Sequence, residues 1–279
     1  MKLEITTLGA GSVLIDGTPV QFKSKTAEEL FFYLLAYPEG KQKEDILETL
    51  WQTEPNKDSN NRFRVTVHRI RSALLSSNAL IEEHNRYRLG AEVLAQTDLH
   101  HLYKALSEAG NTNDEAGRLL AFQKVLAIYQ GDFLPSFNTT WANELREELR
   151  SVYVRANLEI SLLHCGTGAC EGAVGALVRA LRVDPYIGEN YHQKLMTCLS
   201  VVEDKYAAIE HYRRFIHFLR SELEDSPMPE TSELAERIKR GEKICNREPM
   251  QLTQNCPFSS DGACVGGGHN QVLEVLRQE

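Results

Sequence analysis

Residues 60–89 read NNRFRVTVHRIRSALLSSNALIEEHNRYRL. On a helical wheel of about 100° per residue, Phe63, Val67, Ile70 and Leu74 fall within about 60° of one another, so this stripe must face a core. The opposite side is then fixed by geometry. It shows Arg64, Val65, His68, Arg69, Ser72 and Ser76, with Arg62 and Arg71 on the flanks. No Asp or Glu occurs between Ser59 and Leu80, which concentrates positive charge on one helix running from about Asn60 to Leu75. Next come Leu80-Ile81-Glu82-Glu83 and Arg86-Tyr87-Arg88-Leu89, two short strands flanking His84-Asn85. Asn tolerates the left-handed backbone of a two-residue hairpin turn.

Upstream, Leu3-Glu4-Ile5 and Ser12-Val13-Leu14-Ile15 alternate as strands, Asp16-Gly17 supplies a tight turn, and Val20-Gln21-Phe22 is expected as the return strand. Thr26-Ala27-Glu28-Glu29 has the form of a capping box that opens a helix through Tyr37, which Pro38-Glu39-Gly40 stops. Lys43 to Trp51 places Ile46, Leu47, Leu50 and Trp51 on one face of a short amphipathic helix. Strands, three helices and a two-strand wing form a small α+β winged-helix domain over residues 1–95.

An α-helix fits the major groove of double-stranded DNA, where Arg reads guanine, a small apolar group meets the thymine methyl, and Ser or His reaches base or phosphate. The sequence therefore assigns Arg64, Val65, His68, Arg69 and Ser72 to base reading. Arg62, Arg71, Arg86 and Arg88 are assigned to the phosphate backbone. A basic helix alone is more often a solvated surface; the wing directly after it is what favours DNA.

From Thr97 the pattern changes to helix after helix: Asp98–Ala109, Asp114–Tyr129, Trp141–His164, Cys170–Val183, Glu189–Ser200 and Lys205–Leu223. Ala173, Leu177 and Ala180 recur 35 positions later as Ala208, Tyr212 and Phe215. That is close to the roughly 34-residue period of tetratricopeptide helix pairs. An all-α tetratricopeptide-like helical repeat domain is expected over 96–241, and 242–279 reads as a flexible tail or linker.

The chain has 279 residues, 31 Lys plus Arg against 39 Asp plus Glu, and a formal net charge of −8, so any nucleic-acid surface must be local rather than general. It shows neither an apolar run of about 18 residues nor a secretory signal, and a cytoplasmic location with no membrane partner is expected. Six scattered Cys are expected as free thiols, and the sequon Asn138-Thr139-Thr140 has no secretory context. Cys165 and Cys170 with His164, and Cys245, Cys256 and Cys264 with His269, lack the tight spacing of zinc sites; no metal is expected, with a tail redox or metal switch as the lesser reading. Gly9-Ala10-Gly11 follows a strand, but position 14 is Leu and a hairpin follows, so the dinucleotide fingerprint fails. No nucleotide-binding P-loop, HExxH or GxSxG occurs, and neither catalytic residues nor a cofactor site can be assembled. Gly166-Thr167-Gly168 reads as a helix-hairpin turn, and Tyr186, Tyr191, Tyr206 and Tyr212 as core aromatics rather than a groove lining.

With those residues in place, positions 1–95 resemble the winged helix of response-regulator type. Leu47-Glu48-Thr49-Leu50-Trp51 looks like its second-helix ending, Val67 to Leu74 its recognition helix and Arg86-Tyr87-Arg88-Leu89 its wing, with Arg86 where a Gly usually precedes the Tyr. Positions 96 to about 240 resemble the bacterial transcriptional activator domain of antibiotic-regulatory-type activators. The resemblance rests on Thr97-Asp98-Leu99, Leu126 to Leu134, Trp141, Arg182-Val183-Asp184-Pro185-Tyr186 and Ala207 to Tyr212, with Glu224 where a Gly is common. It implies a transcription activator that binds promoter repeats through the winged helix. The helical domain would then support a homodimer and contact RNA polymerase. Because the chain starts at the first strand of the winged helix, control by aspartyl phosphorylation within it is not expected. The alternative is a helical-repeat scaffold that binds a protein or small molecule without DNA.

Overall fold

The computed structural model describes residues 2–245. Cys256, Cys264, His269 and the rest of the tail from 246 onward lie outside the described residues. The elements are β1 (Leu3–Thr6), β2 (Ser12–Ile15), β3 (Thr18–Pro19), α1 (Lys25–Ala36), β4 (Lys41–Gln42), α2 (Lys43–Trp51), α3 (Lys57–Ala73), β5 (Leu80–Glu83) and β6 (Arg86–Leu89). They continue through α4 (Ala91–Leu94), α5 (Asp98–Asn111), α6 (Glu115–Ile128), α7 (Thr140–Gly166), α8 (Cys170–Val183), α9 (Glu189–Val202), α10 (Lys205–Glu222) and α11 (Pro229–Lys239). Two compact units form. The first holds the residues up to Ala105 together with Ala127–Arg150, and the second holds Leu106–Leu126 with the described residues from Ser151.

In the first unit β1, β2 and β3 make an antiparallel meander, while β6 lies between β4 and β5 in a second antiparallel sheet, the wing. Helix α1 is apolar almost all round, and Leu30 to Leu35 are all buried, so it needs partners on several sides. α3 packs on it, and Tyr33 and Phe32 meet Trp141 and Phe137 edge-on at 5.5 Å. The segment 127–150 thus completes this core with Phe133, Leu134 and Trp141.

Polar groups tie this unit together. Asp98 accepts from the Thr7 and Leu8 amides at 2.6 and 2.8 Å and from the Thr7 hydroxyl at 2.7 Å. Arg146 donates to the carbonyls of Phe133, Leu134 and Phe137. Gly9, at φ +89°, accepts close backbone approach: a Cβ on Gly131 would stand 3.0 Å from the Gly9 Cα. That contact is the use the fold makes of the glycine pair near β1.

Three local expectations shift. The cap of α1 is Ser24, whose hydroxyl accepts from the Ala27 amide at 3.2 Å, and Thr26 lies inside the helix. A two-residue turn at Asp16-Gly17 (φ +49° and +78°) forces Ile15 to pair with Thr18, so the return strand is Thr18–Pro19 rather than 20–22. α3 begins at Lys57, three residues early, because Asn56 and Ser59 form a reciprocal capping box.

The second unit is helical throughout its described residues. Ala173, Leu177, Ala180, Ala208 and Phe215 are buried, and the small alanines let neighbouring helices approach. Gly168 at φ +74° makes the turn between α7 and α8. Cys165, Cys170 and Cys198 are buried thiols outside any disulfide, and hydrogen bonding with the other two plus burial pushes the Cys198 thiol up. Tyr191 and Tyr212 pack against the core, whereas Tyr186 and Tyr206 are 59 % and 71 % exposed. The core expectation therefore fails for those two, since Tyr186 follows the end of α8 and Tyr206 stands in the solvent-facing first turn of α10. α11, opened by Pro229 at its first position and burying Leu234, Ala235 and Ile238, has no counterpart in the sequence reading.

Candidate nucleic-acid interface

α3 buries Phe63, Val67, Ile70 and Leu74 as its spacing requires. The other side carries Arg64, Val65, His68 and Ser72 exposed and Arg69 half-exposed, and Val65 keeps 41 % of its surface. Among the described residues no hydrogen bond or ion pair holds the guanidinium of Arg64 or Arg69. Asn61 lies on the same exposed face, in the second turn of α3. Asn is the side chain that bonds adenine bidentately, and the first turns of a recognition helix are those nearest the bases. Asn61 lies within the helix expected from about Asn60 but was given no role there; its i, i+4, i+7 spacing to Val65 and His68 was the available signal.

The other four arginines have partners within the protein. Arg71 donates through Nε and Nη2 to the Leu80 carbonyl at 3.0 and 2.8 Å, which fixes the start of β5 against α3. Arg86 donates to the Gly40 carbonyl at 2.9 Å, and Arg88 pairs with Glu83 across the hairpin at 2.6 Å. Arg62 lies 4.3 Å over the Trp51 ring, a cation–π contact that joins α3 to α2. His84 and Asn85 take φ +50° and +61°, the turn geometry of a tight hairpin, with Arg86 following it in extended strand.

Tyr87 sets the wing on the helix. Its ring meets Phe63 edge-on at 4.7 Å, and its hydroxyl donates to Glu82 at 2.8 Å. Burial, helped by Glu82, pushes that hydroxyl up to about 12, so it stays a donor in neutral solution. The arrangement offers a convex cationic ridge with a neighbouring wing. Among the described residues no cluster of His, Cys, Asp or Glu fits a metal ion, and no helix is long and apolar enough to cross a membrane.

Residues 97–239 match the bacterial transcriptional activator domain. The chain belongs to that family. Its members are transcriptional regulators and activators rather than enzymes. "Regulatory protein AfsR" of Streptomyces griseus is 25 % identical over 204 residues, which cover 71 % of this chain and 20 % of that protein. The chain thus spans about a fifth of that relative's length. Among solved structures, Mycobacterium tuberculosis EmbR in complex with a low-affinity phosphopeptide is similar, with a TM-score of 0.70 and 18 % identity over 90 % of this chain and 69 % of that one. The fold is accordingly a winged helix followed by a tetratricopeptide-like helical domain.

Proposed function

We propose that this member of the bacterial transcriptional activator domain family binds promoter DNA through α3. Asn61, Arg64, Val65, His68, Arg69 and Ser72 read the major groove, and the wing lies against the adjoining backbone. The observation that carries this is the exposed face of α3, with two unengaged guanidinium groups and no carboxylate from Ser59 to the wing. Arg62, Arg71, Arg86 and Arg88 hold the helix and wing in place, and the part of each guanidinium left uncovered reaches phosphate. The helical domain supports a homodimer on repeated sites and contact with RNA polymerase, a reading that the match to an activator domain favours. A protein doing this works in the cytoplasm.

A gel-shift series over salt, on genomic fragments captured by the protein, tests the reading. A steep fall in affinity with rising salt is expected, with Arg69→Ala losing about 5- to 150-fold in affinity and some sequence preference. Salt-insensitive binding, or an Arg69→Ala variant that behaves as wild type, would overturn it in favour of a scaffold that does not use DNA.

A further inference from the structure

The second unit contains a cavity of about 410 Å³ between α8, α9 and α10 that a DNA-binding role does not use. Leu181, Leu195 and Phe215 give it an apolar lining, and Arg182 and Arg214 stand on it from α8 and α10. No Asp or Glu is among the residues that line it. Arg214 does touch Glu210, at 3.3 Å, but both are well exposed, and such a pair is worth little and exchanges readily for another anion.

A histidine pair also lines the cavity. His192 Nδ1 and His211 Nε2 lie 3.2 Å apart, so one carries the proton and the other accepts it. Their rings stack at 16°, and His192 lies 3.9 Å from the Phe215 ring at 23°. His192 is only 4 % exposed, and its Nε2 completes no hydrogen bond of ordinary geometry, although the Pro185 carbonyl alongside favours a proton on the ring. Burial pushes both histidines down to about 4, aided at His211 by the charge of Arg214, so the pair is neutral at pH 7. Two imidazoles cost more to bury here than two apolar side chains would. Buried polar groups converging on an apolar concavity of this size are the usual form of a small-ligand site.

We propose that the α8–α9–α10 cavity binds an amphipathic organic anion, with a flat apolar body on Leu181, Leu195 and Phe215 and a single carboxylate or sulfonate held by Arg182 and Arg214. Charge complementarity selects an anion, and the concave apolar lining selects a compact ligand over a polyanion. The site stands independently of the reading of α3.

The test uses the full chain and two fluorescent probes that share one ring system: 8-anilinonaphthalene-1-sulfonate and uncharged N-phenyl-1-naphthylamine. The sulfonate is expected to bind one saturable site more tightly than the amine and to be displaced by 1-naphthylacetate. The double variant Arg182→Ser, Arg214→Ser should bind the sulfonate at least about tenfold more weakly while keeping its affinity for the amine. Equal affinity of the two probes, sulfonate binding that does not saturate, or an arginine double variant that binds the sulfonate like wild type would overturn the proposal. Gel shifts on the same variants separate its failure from that of the DNA reading, since these substitutions leave α3 untouched.

Discussion

α3 and the α8–α10 cavity both present exposed arginines, with Arg214 of the cavity only loosely held by Glu210, but their shapes differ. On α3 the cations project from a convex rod whose apolar side is wholly consumed by the core. At the cavity they stand over a hollow whose apolar surface is still available. A rod of charge suits a ligand whose charges repeat along a groove, whereas a charge beside an apolar hollow suits a compact molecule with one acidic end. Positive charge alone therefore does not name a ligand. What the side chains leave uncovered beneath the charge does.

Acidification should separate the two regions most. Because folding holds the pKa of His192 and His211 below the unfolded value, the unfolded chain takes up protons first; stability is complete above about pH 6.5 and declines as pH falls towards 4. Lowering the pH from 7 to 5 is expected to cost the second unit about 2 kcal/mol per histidine. Urea melts at the two pH values check this, and the slope should flatten in a His192→Phe, His211→Phe chain.

The contrast between engaged and unengaged arginines comes next. Arg146→Ala removes the donors to three carbonyls that seat Phe133 and Leu134, and should cost about 3 kcal/mol of stability in chemical denaturation. Arg69→Ala should shift the urea midpoint by no more than an ordinary surface substitution, about 0.5 kcal/mol, and weaken DNA by about 2 kcal/mol. An equal stability loss in both would erase the distinction. A smaller stability loss than at Arg146 is expected at Arg71→Ala, about 1 kcal/mol from the lost bonds to the Leu80 carbonyl. Its salt slope should also fall by about one, since the uncovered part of its guanidinium is proposed to reach phosphate. An unchanged slope would leave Arg71 a tie between α3 and β5 alone.

Local periodicity carried much of this into the sequence. The buried stripe of α3, the limits of α2, β5, β6 and α8, and the left-handed pair at His84-Asn85 depend on neighbours within a few residues, and each is where its spacing puts it. What the spacing could not encode was partnership across distance. Nothing near Arg71 or Arg86 announces the carbonyls of Leu80 and Gly40 as their acceptors, nor does Trp51 announce Arg62 above it. His192 and His211 sit on separate helices and met only when the repeat stacked. The landmark motif from Gln130 to Leu134 was recognisable as a resemblance, but its reason is tertiary: it closes the core around α1 and lies against Gly9.

Asp98 shows how such wiring would look to a geneticist. One carboxylate terminates the amides of Thr7 and Leu8 and the hydroxyl of Thr7, and also accepts from the Leu99 amide at the head of its own helix. Asparagine there would turn hydrogen toward hydrogen and unmoor the opening strand. A screen for lost promoter occupancy would recover that lesion beside Arg69→Ala, and only a melting curve would tell the broken anchor from the missing reader.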